Sequence, residues 1–140
     1  MFEQILVAVD GSDYALKAAR TAADLARSLG QSRLYVVVAF EPIPDYLGEP
    51  FWEEAAAARM KKAEEILDAA LKEIGDVPGG VETEVLEGRP AEAILEVAKD
   101  RQVDLIVMGA QGQGTLSSLL LGSQSRKVIN HAPCPVLIVR

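Results

Sequence analysis

The chain has 140 residues, of which 49% are apolar, and a formal net charge of −7. This length predicts a single domain over residues 1–140, and the excess of acidic residues disfavours a nucleic-acid partner, because phosphate backbones are bound by clusters of Lys and Arg. No run approaches the roughly 18 apolar residues of a membrane span, the N-terminus lacks the basic start of a secretory signal, and Cys134 has no second cysteine to pair with. We therefore expect a soluble cytoplasmic protein without a membrane partner.

Apolar runs alternate with amphipathic stretches along the chain, which is typical of βαβ units and a mainly parallel sheet. The first predicted strand, residues 5–9, is continuously apolar, as expected of a strand that is buried on both faces. Ser12 or Asp13 then caps a helix that ends at Gly30. The apolar residues at helical spacing, expected to face the core, are Ala15, Ala18, Ala22, Leu25 and Leu29.

A second strand is predicted at residues 34–40, followed by a loop over residues 41–50 in which three prolines disfavour regular structure. A long helix is predicted over residues 51–74. Its apolar stripe is interpreted as core packing and consists of Ala56, Met60, Ala63, Leu67, Ala70 and Ile74.

A third strand is predicted at residues 81–86, where Glu82 and Glu84 alternate with apolar residues and indicate an edge strand. Pro90 suits the first turn of the following helix. The inward face of that helix is predicted to contain Ala91, Ile94, Leu95 and Ala98. The remaining elements are a strand at residues 105–108, a helix at about 123–130 and a strand at 136–139.

The main functional signal is a glycine-rich segment directly after the fourth predicted strand. Gly109 and Gly112 allow the backbone to turn and to approach a ligand, and nine residues separate Gly112 from Gly122 and Ser123, which open a helix. A helix N-terminus attracts anions, and open α/β sheets bind ligands outside the carboxyl ends of their strands. The segment therefore predicts a phosphate site, with Asp10 placed to accept hydrogen bonds from a ribose. The alternative is that the glycines only form turns, that Ser123 only caps a helix and that Asp10 belongs to an ordinary turn.

Three segments resemble the universal stress protein family and together span nearly the whole chain: residues 5–12, 104–109 and 131–139. The ATP-binding subfamily also has a G-x-x-G motif, nine intervening residues and then G-[S/T]. This chain matches that pattern with Gly109, Gly112, Gly122 and Ser123.

The resemblance implies an α/β, Rossmann-like fold of the adenine nucleotide alpha hydrolase type. Its open parallel five-stranded sheet has the order 3-2-1-4-5, with helices on both faces and ATP between the first and fourth strands. The implied ATP-binding residues are Ala8, Val9, Asp10, Ala39, Met108, Gly109, Gly112, Gly122, Ser123, Gln124 and Ser125. Asp10 and Gly109 would lie beside the ribose, the other members from the first two strands would line the adenine pocket, and those from Gly112 onward would surround the phosphates.

The resemblance also implies Mg²⁺ or Mn²⁺ with the ATP, without identifying protein side chains as metal ligands. Family members commonly form homodimers by antiparallel pairing of the last strand, and an unpaired apolar edge strand favours such pairing. The implied dimer interface consists of Val136, Leu137, Ile138 and Val139.

Two positions depart from the commonest family pattern. Gln111 and Gln113 stand where that pattern has His and Arg, so the loop lacks a cation. This departure leaves open the metal dependence and the preference for ATP over ADP or AMP. Arg126 and Lys127 are candidates to replace the missing charge, although a solvated helix face is the more ordinary interpretation of both.

The sequence contains neither a P-loop motif nor protein-kinase motifs, and we identify no catalytic residues. We expect a nucleotide-dependent switch or sensor in a stress response, with at most slow ATP hydrolysis and with protein partners that the sequence does not name. The alternative is a dimeric stress protein that needs no nucleotide and acts through protein–protein interaction.

Two further functional hypotheses are disfavoured. His131 and Cys134 lie three residues apart, but prolines on both sides of Cys134 place it at the start of a buried strand, where a small packed side chain is expected. A response-regulator receiver domain needs a phosphoacceptor Asp after the third strand, where this chain has Glu87.

Overall fold

A computed structural model describes residues 1–112 and 121–140. Strands and helices alternate along the chain: β1 Gln4–Ala8, α1 Asp13–Leu29, β2 Arg33–Phe40, α2 Phe51–Ile74, β3 Val81–Glu87, α3 Pro90–Asp100, β4 Leu105–Gly109, α4 Ser123–His131 and β5 Val136–Val139. The strands form a five-stranded sheet in the order β3-β2-β1-β4-β5, and every neighbouring pair is parallel. The predicted fold class and strand order are confirmed.

The sheet separates two apolar cores because side chains of successive strand residues point to opposite faces. In β1, Ile5 and Val7 pack with residues of α1 and α2, whereas Leu6 packs with residues of α3 and α4. All three side chains are fully buried. The central strand β1 is therefore covered on both sides, which explains its uninterrupted apolar sequence.

The core-facing side of α1 agrees with the prediction at Ala15, Ala18 and Ala22 and departs from it at the two leucines. Its buried residues are all alanines, whereas Leu25 is only partly buried and Leu29 is 44% exposed. Small side chains let a helix lie close to a sheet, so the alanine-rich face packs inward. The prediction for Leu29 was wrong because this residue ends α1, and periodicity alone does not show how far the sheet extends beneath a helix.

The prediction for Met60 in α2 was also wrong. The buried residues of this helix begin only at Ala63, and Met60 is 51% exposed. The first three turns of α2 therefore extend past the core. The preceding loop also contains a short 3₁₀ turn, Asp45–Leu47, where the prolines had indicated irregular structure.

Within the described residues, no helix combines the length and the apolar character that crossing a membrane requires.

Candidate functional site

A cavity of about 460 Å³ lies at the carboxyl ends of β1, β2 and β4, next to the first turns of α3 and α4. The chain runs from β1 to β2 and β3 on one side and reaches β4 and β5 on the other, so the cavity lies where the strand order reverses. All eleven residues predicted to bind ATP line this one cavity. Six further lining residues were not in that predicted set, although Gln111 among them had been singled out as a departure from the family pattern: Ala15, Val37, Phe40, Pro90, Ile94 and Gln111.

Gly109 ends β4 and packs against the first turn of α1. A Cβ atom at this position would lie 2.7 Å from Cβ of Tyr14 and 2.9 Å from its carbonyl carbon. The carbonyl carbon belongs to a helix backbone, which cannot rotate away as a side-chain end can. Gly109 is therefore required by helix–strand packing, and this packing brings the first turn of α1 to the edge of the cavity.

Gly112 makes its close contact with Asp10 instead. A Cβ atom on Gly112 would lie 2.5 Å from Oδ2 of Asp10, while Oδ1 of the same carboxylate accepts a hydrogen bond of 2.9 Å from the Ser12 amide. The carboxylate thus lies between the start of α1 and the loop after β4. This position fits the role of ribose contact that the resemblance assigns to Asp10.

The first turn of α4 forms the opposite wall of the cavity. Gly122 is its extended N-cap residue, and the Gly122 amide donates a hydrogen bond of 2.8 Å to the Ala110 carbonyl oxygen, which joins the start of α4 to the end of β4. Amides in a first helical turn have no acceptor within the helix and carry partial positive charge. Ser123 and Gln124 therefore bring a partly positive helix end to the cavity.

The side chains of Gln124 and Ser125 also join the walls to one another. Gln124 Oε1 accepts a hydrogen bond of 3.0 Å from the Ala91 amide in the first turn of α3. The buried Ser125 hydroxyl donates to the carbonyl oxygen of Gly109 at 2.9 Å. These bonds fix both helix starts relative to β4, a structural role that the sequence pattern did not reveal.

Much of the remaining lining is apolar. Val37 and Ala39 come from β2, Met108 from β4 and Ile94 from α3. The Val9 amide donates to the Val37 carbonyl oxygen at 2.8 Å, so the ladder between β1 and β2 continues to the cavity floor. The cavity therefore combines an apolar lining with a helix N-terminus that attracts anions.

Among the described residues, no Lys, Arg or His side chain lines the cavity. Arg126 and Lys127 are exposed, and Arg126 Nη2 donates to the Leu121 carbonyl oxygen at 3.4 Å. Gln111, which replaces the family's usual cation, is buried and lines the cavity, while Gln113 lies outside the described residues. In the described part of this site, an anion would therefore meet backbone amides and no cationic side chain.

Residues 1–112 and 121–140 contain no group of three or more His, Cys, Asp or Glu side chains placed to hold a metal ion. Burial raises the pKa of the Cys134 thiol, and the nearby carboxylate of Asp104 raises it further. An activated cysteine has a lowered pKa, so this environment agrees with the packing role expected for Cys134. His131 is exposed at the end of α4.

Comparison with known proteins yields similarities along the full chain. Residues 1–140 match the sequence model of the Universal stress protein family. A universal stress protein of Thermus aquaticus is 54% identical over 140 residues, covering 100% of both chains. The solved structure of universal stress protein UspA from Lactobacillus plantarum has a TM-score of 0.86 and 28% identity, covering 99% of this chain and 98% of that one. The universal stress protein from Archaeoglobus fulgidus in complex with dAMP has a TM-score of 0.72 and 27% identity, covering 100% of both chains.

Proposed function

The chain belongs to the universal stress protein family, and from this premise we propose that it binds ATP and acts as a nucleotide-dependent switch or sensor in a stress response. One observation carries the proposal: all eleven residues of the expected ATP site line a single cavity at the reversal of strand order. These residues come from four separate segments of the chain, so it is the fold, and not local spacing, that brings them together in one cavity.

The chemistry of the cavity supports an adenine nucleotide. Its apolar lining suits a flat base, the Asp10 carboxylate can accept hydrogen bonds from a ribose, and the first turn of α4 suits phosphates. The volume of about 460 Å³ falls within the range typical of small-molecule sites. The similar Archaeoglobus fulgidus protein was solved with dAMP, which supports the same ligand class here.

The proposed complex contains Mg²⁺ or Mn²⁺ with the triphosphate. No side-chain cation among the described residues lines the cavity, so a divalent ion bound by the phosphates would offset their charge. Fast phosphoryl transfer requires a positioned base together with cations at the transferring group. Asp10 is the single carboxylate among the described lining residues, and the Ser12 amide already binds one of its oxygens, so any hydrolysis should be slow.

Calorimetric titration of nucleotide-free protein with Mg-ATP, ADP and AMP tests the proposal. Gly122→Val places a branched side chain at the N-cap of α4, in the cavity lining, where the Cβ atom itself would make an ordinary contact of 3.4 Å with the Gln111 Cα and leave the fold intact. Ala57→Val, on the exposed side of α2, is the matched control for an added branched side chain. We expect micromolar-range binding in the wild type and the control, and at least a tenfold loss in Gly122→Val, because the cavity wall is obstructed.

The second candidate is a dimeric stress protein that needs no nucleotide. The absence of a side-chain cation among the described lining residues favours it. If nucleotide-free protein binds none of the three nucleotides, this candidate replaces the first. Equal binding by Gly122→Val and the wild type would instead place the nucleotide away from α4.

A further inference from the structure

A second cavity, of about 600 Å³, shares Phe40 with the first as a lining residue. Its walls come from the loop after β2, the overhanging first turns of α2 and the end of β3. Most of its lining is apolar and includes Phe40, Ile43, Trp52, Met60, Val85 and Leu86. We call this site the α2 groove.

Large apolar side chains around the α2 groove are unusually accessible to solvent. Trp52 is 37% exposed and Met60 is 51% exposed within it, while Phe51 is 63% and Tyr46 is 87% exposed on the adjoining surface. Isolated exposed apolar residues are common, but Trp52 and Met60 are both exposed in one groove, and exposed apolar side chains grouped in this way are typical of an interaction site. The predicted role of Met60 in the core therefore gives way to a role at a surface groove.

Carboxylates outnumber cations in the lining of the α2 groove. Asp45 and Glu87 line it, and residues 41–58 contain Glu41, Asp45, Glu49, Glu53 and Glu54 but no Lys or Arg. Among the described residues, Arg59 is the single cation in the lining. Its guanidinium lies 5.4 Å from the ring centroid of Phe40, and Nη1 donates to the Glu41 carbonyl oxygen. Arg59 is thus already bound to the groove wall.

We propose that the α2 groove binds a basic amphipathic segment of a partner protein, in which apolar side chains are flanked by Lys and Arg. The apolar side chains would cover Trp52 and Met60, and the basic ones would face Asp45 and Glu87. This charge pattern disfavours three other occupants. A second copy would bring the same carboxylates against themselves, and anionic lipids or nucleic acids would meet like charge.

Trp52 provides the readout because it is the only tryptophan in the chain. The probes are three synthetic peptides of about 14 residues: an amphipathic Leu/Lys helix, an amphipathic Leu/Glu helix of the same pattern, and a scrambled Leu/Lys peptide without an apolar face. We expect the amphipathic basic peptide to shift Trp52 emission to shorter wavelength with saturation. The acidic and scrambled peptides should bind at least about tenfold more weakly.

Charge reversal locates the binding surface. The double variant Asp45→Lys, Glu87→Lys should weaken binding of the basic amphipathic peptide by about tenfold, because two attractive contacts become repulsive. The control Glu64→Lys, Asp68→Lys makes the same change in net charge on exposed residues of α2 outside the groove and should have a much smaller effect. All four positions are exposed, so the fold should tolerate both variants, which circular dichroism would verify.

Three results would overturn the proposal. The first is equal weakening by both charge-reversal variants, which would indicate non-specific attraction to an acidic protein. The second is calorimetric binding without a change in Trp52 emission, which would place the peptide on another surface. The third is equal affinity for the acidic and basic peptides. If the groove double variant fails to fold, Met60→Lys replaces it. Met60 is half-exposed, and the substitution places a positive charge within the same groove.

Discussion

Gly109 and Gly112 lie three residues apart beside the same cavity, but a Cβ atom added at each would clash with different neighbours. At Gly109 the nearest atoms include the backbone of Tyr14, whereas at Gly112 the nearest atom is a carboxylate oxygen of Asp10. A helix backbone can move only with the helix, but a carboxylate can rotate. The two glycines therefore serve different purposes, one in packing and the other at the proposed ribose site.

Alanine at each position should separate these roles. Gly109→Ala should lower the free energy of unfolding by about 1–3 kcal/mol, because its Cβ overpacks the contact between β4 and α1. Gly112→Ala should change that free energy by less than about 1 kcal/mol but weaken ATP binding by roughly tenfold, because it displaces the Asp10 carboxylate. Urea unfolding and calorimetric titration measure the two effects. The reverse pattern would contradict both assignments.

The sequence identified these glycines through their spacing, but it could not identify their neighbours. Contacts of Gly109 with α1 depend on how closely the alanine face of that helix approaches the sheet. The same limit applies to Gln124, whose side chain binds an amide of α3, and to Phe40, Pro90 and Ile94 in the cavity lining. Pro90 and Ile94 follow a parallel strand, so their end of the sheet could have been inferred from the topology.

At the scale of the elements, a hydrogen bond to the side chain of the preceding residue caps the N-terminus of α1. Ser12 has extended backbone geometry, and its Oγ accepts a hydrogen bond of 3.2 Å from the Ala15 amide. This bond satisfies one of the amides that lack an acceptor within the helix. Because the first turn of α1 packs on Gly109, the cap also supports the edge of the cavity.

Ser12→Ala should therefore lower the free energy of unfolding by about 1 kcal/mol. Ser28→Ala is the matched control, because Ser28 is exposed and its hydroxyl donates to the Asp24 carbonyl oxygen of the same helix. We expect the control to change stability by less than about 0.5 kcal/mol. Thermal or urea unfolding compares the two, and equal losses would show that the cap contributes nothing of its own.

Sequence patterns located most elements but were weaker in assigning helix faces. The predicted bounds of α2 and β5 agree with the structure, since prolines and glycines delimit these segments clearly. Leu29 and Met60 were misassigned because periodicity alone does not show how far the sheet extends beneath a helix. Both residues continue the helical spacing of the buried positions, but they lie in parts of their helices that do not pack on the core.

At the scale of the whole molecule, the two edges of the sheet differ in charge. On β3, Arg101 Nη2 binds Glu84 at 2.6 Å and Nη1 binds Glu82 at 3.3 Å, so that edge carries ion pairs. On the opposite edge, β5 consists of Val136–Val139 without a charged residue, and Leu137 is 38% exposed. Charged residues protect an edge strand from pairing, so β5 is the edge at which we expect a second copy to pair.

Sedimentation velocity should show a dimer for the wild type and a monomer for Leu137→Lys, because a charge on β5 opposes close pairing of like strands. Leu71→Lys is the matched control, since Leu71 is 37% exposed on α2. We expect it to remain dimeric. A monomeric wild type, or dissociation by both substitutions, would contradict pairing through β5.

The topology of the whole sheet was predictable because apolar runs and helices alternate regularly and the resemblance covered nearly the full length. The α2 groove was not predictable, because it depends on how far α2 extends beyond the core and on the position of the loop after β2. Prolines in that loop indicated only that regular structure would be interrupted there.

Phe40 lines both cavities, and this shared residue has a thermodynamic consequence. If a ligand in one cavity moves the Phe40 ring, it changes the free energy with which a ligand binds in the other cavity. Thermodynamic linkage requires each ligand to change the affinity for the other by the same factor. If the nucleotide strengthens binding of the basic segment, the bound segment will in turn slow loss of the nucleotide. The duration of a signal would then depend on the partner as well as on the cellular nucleotide level.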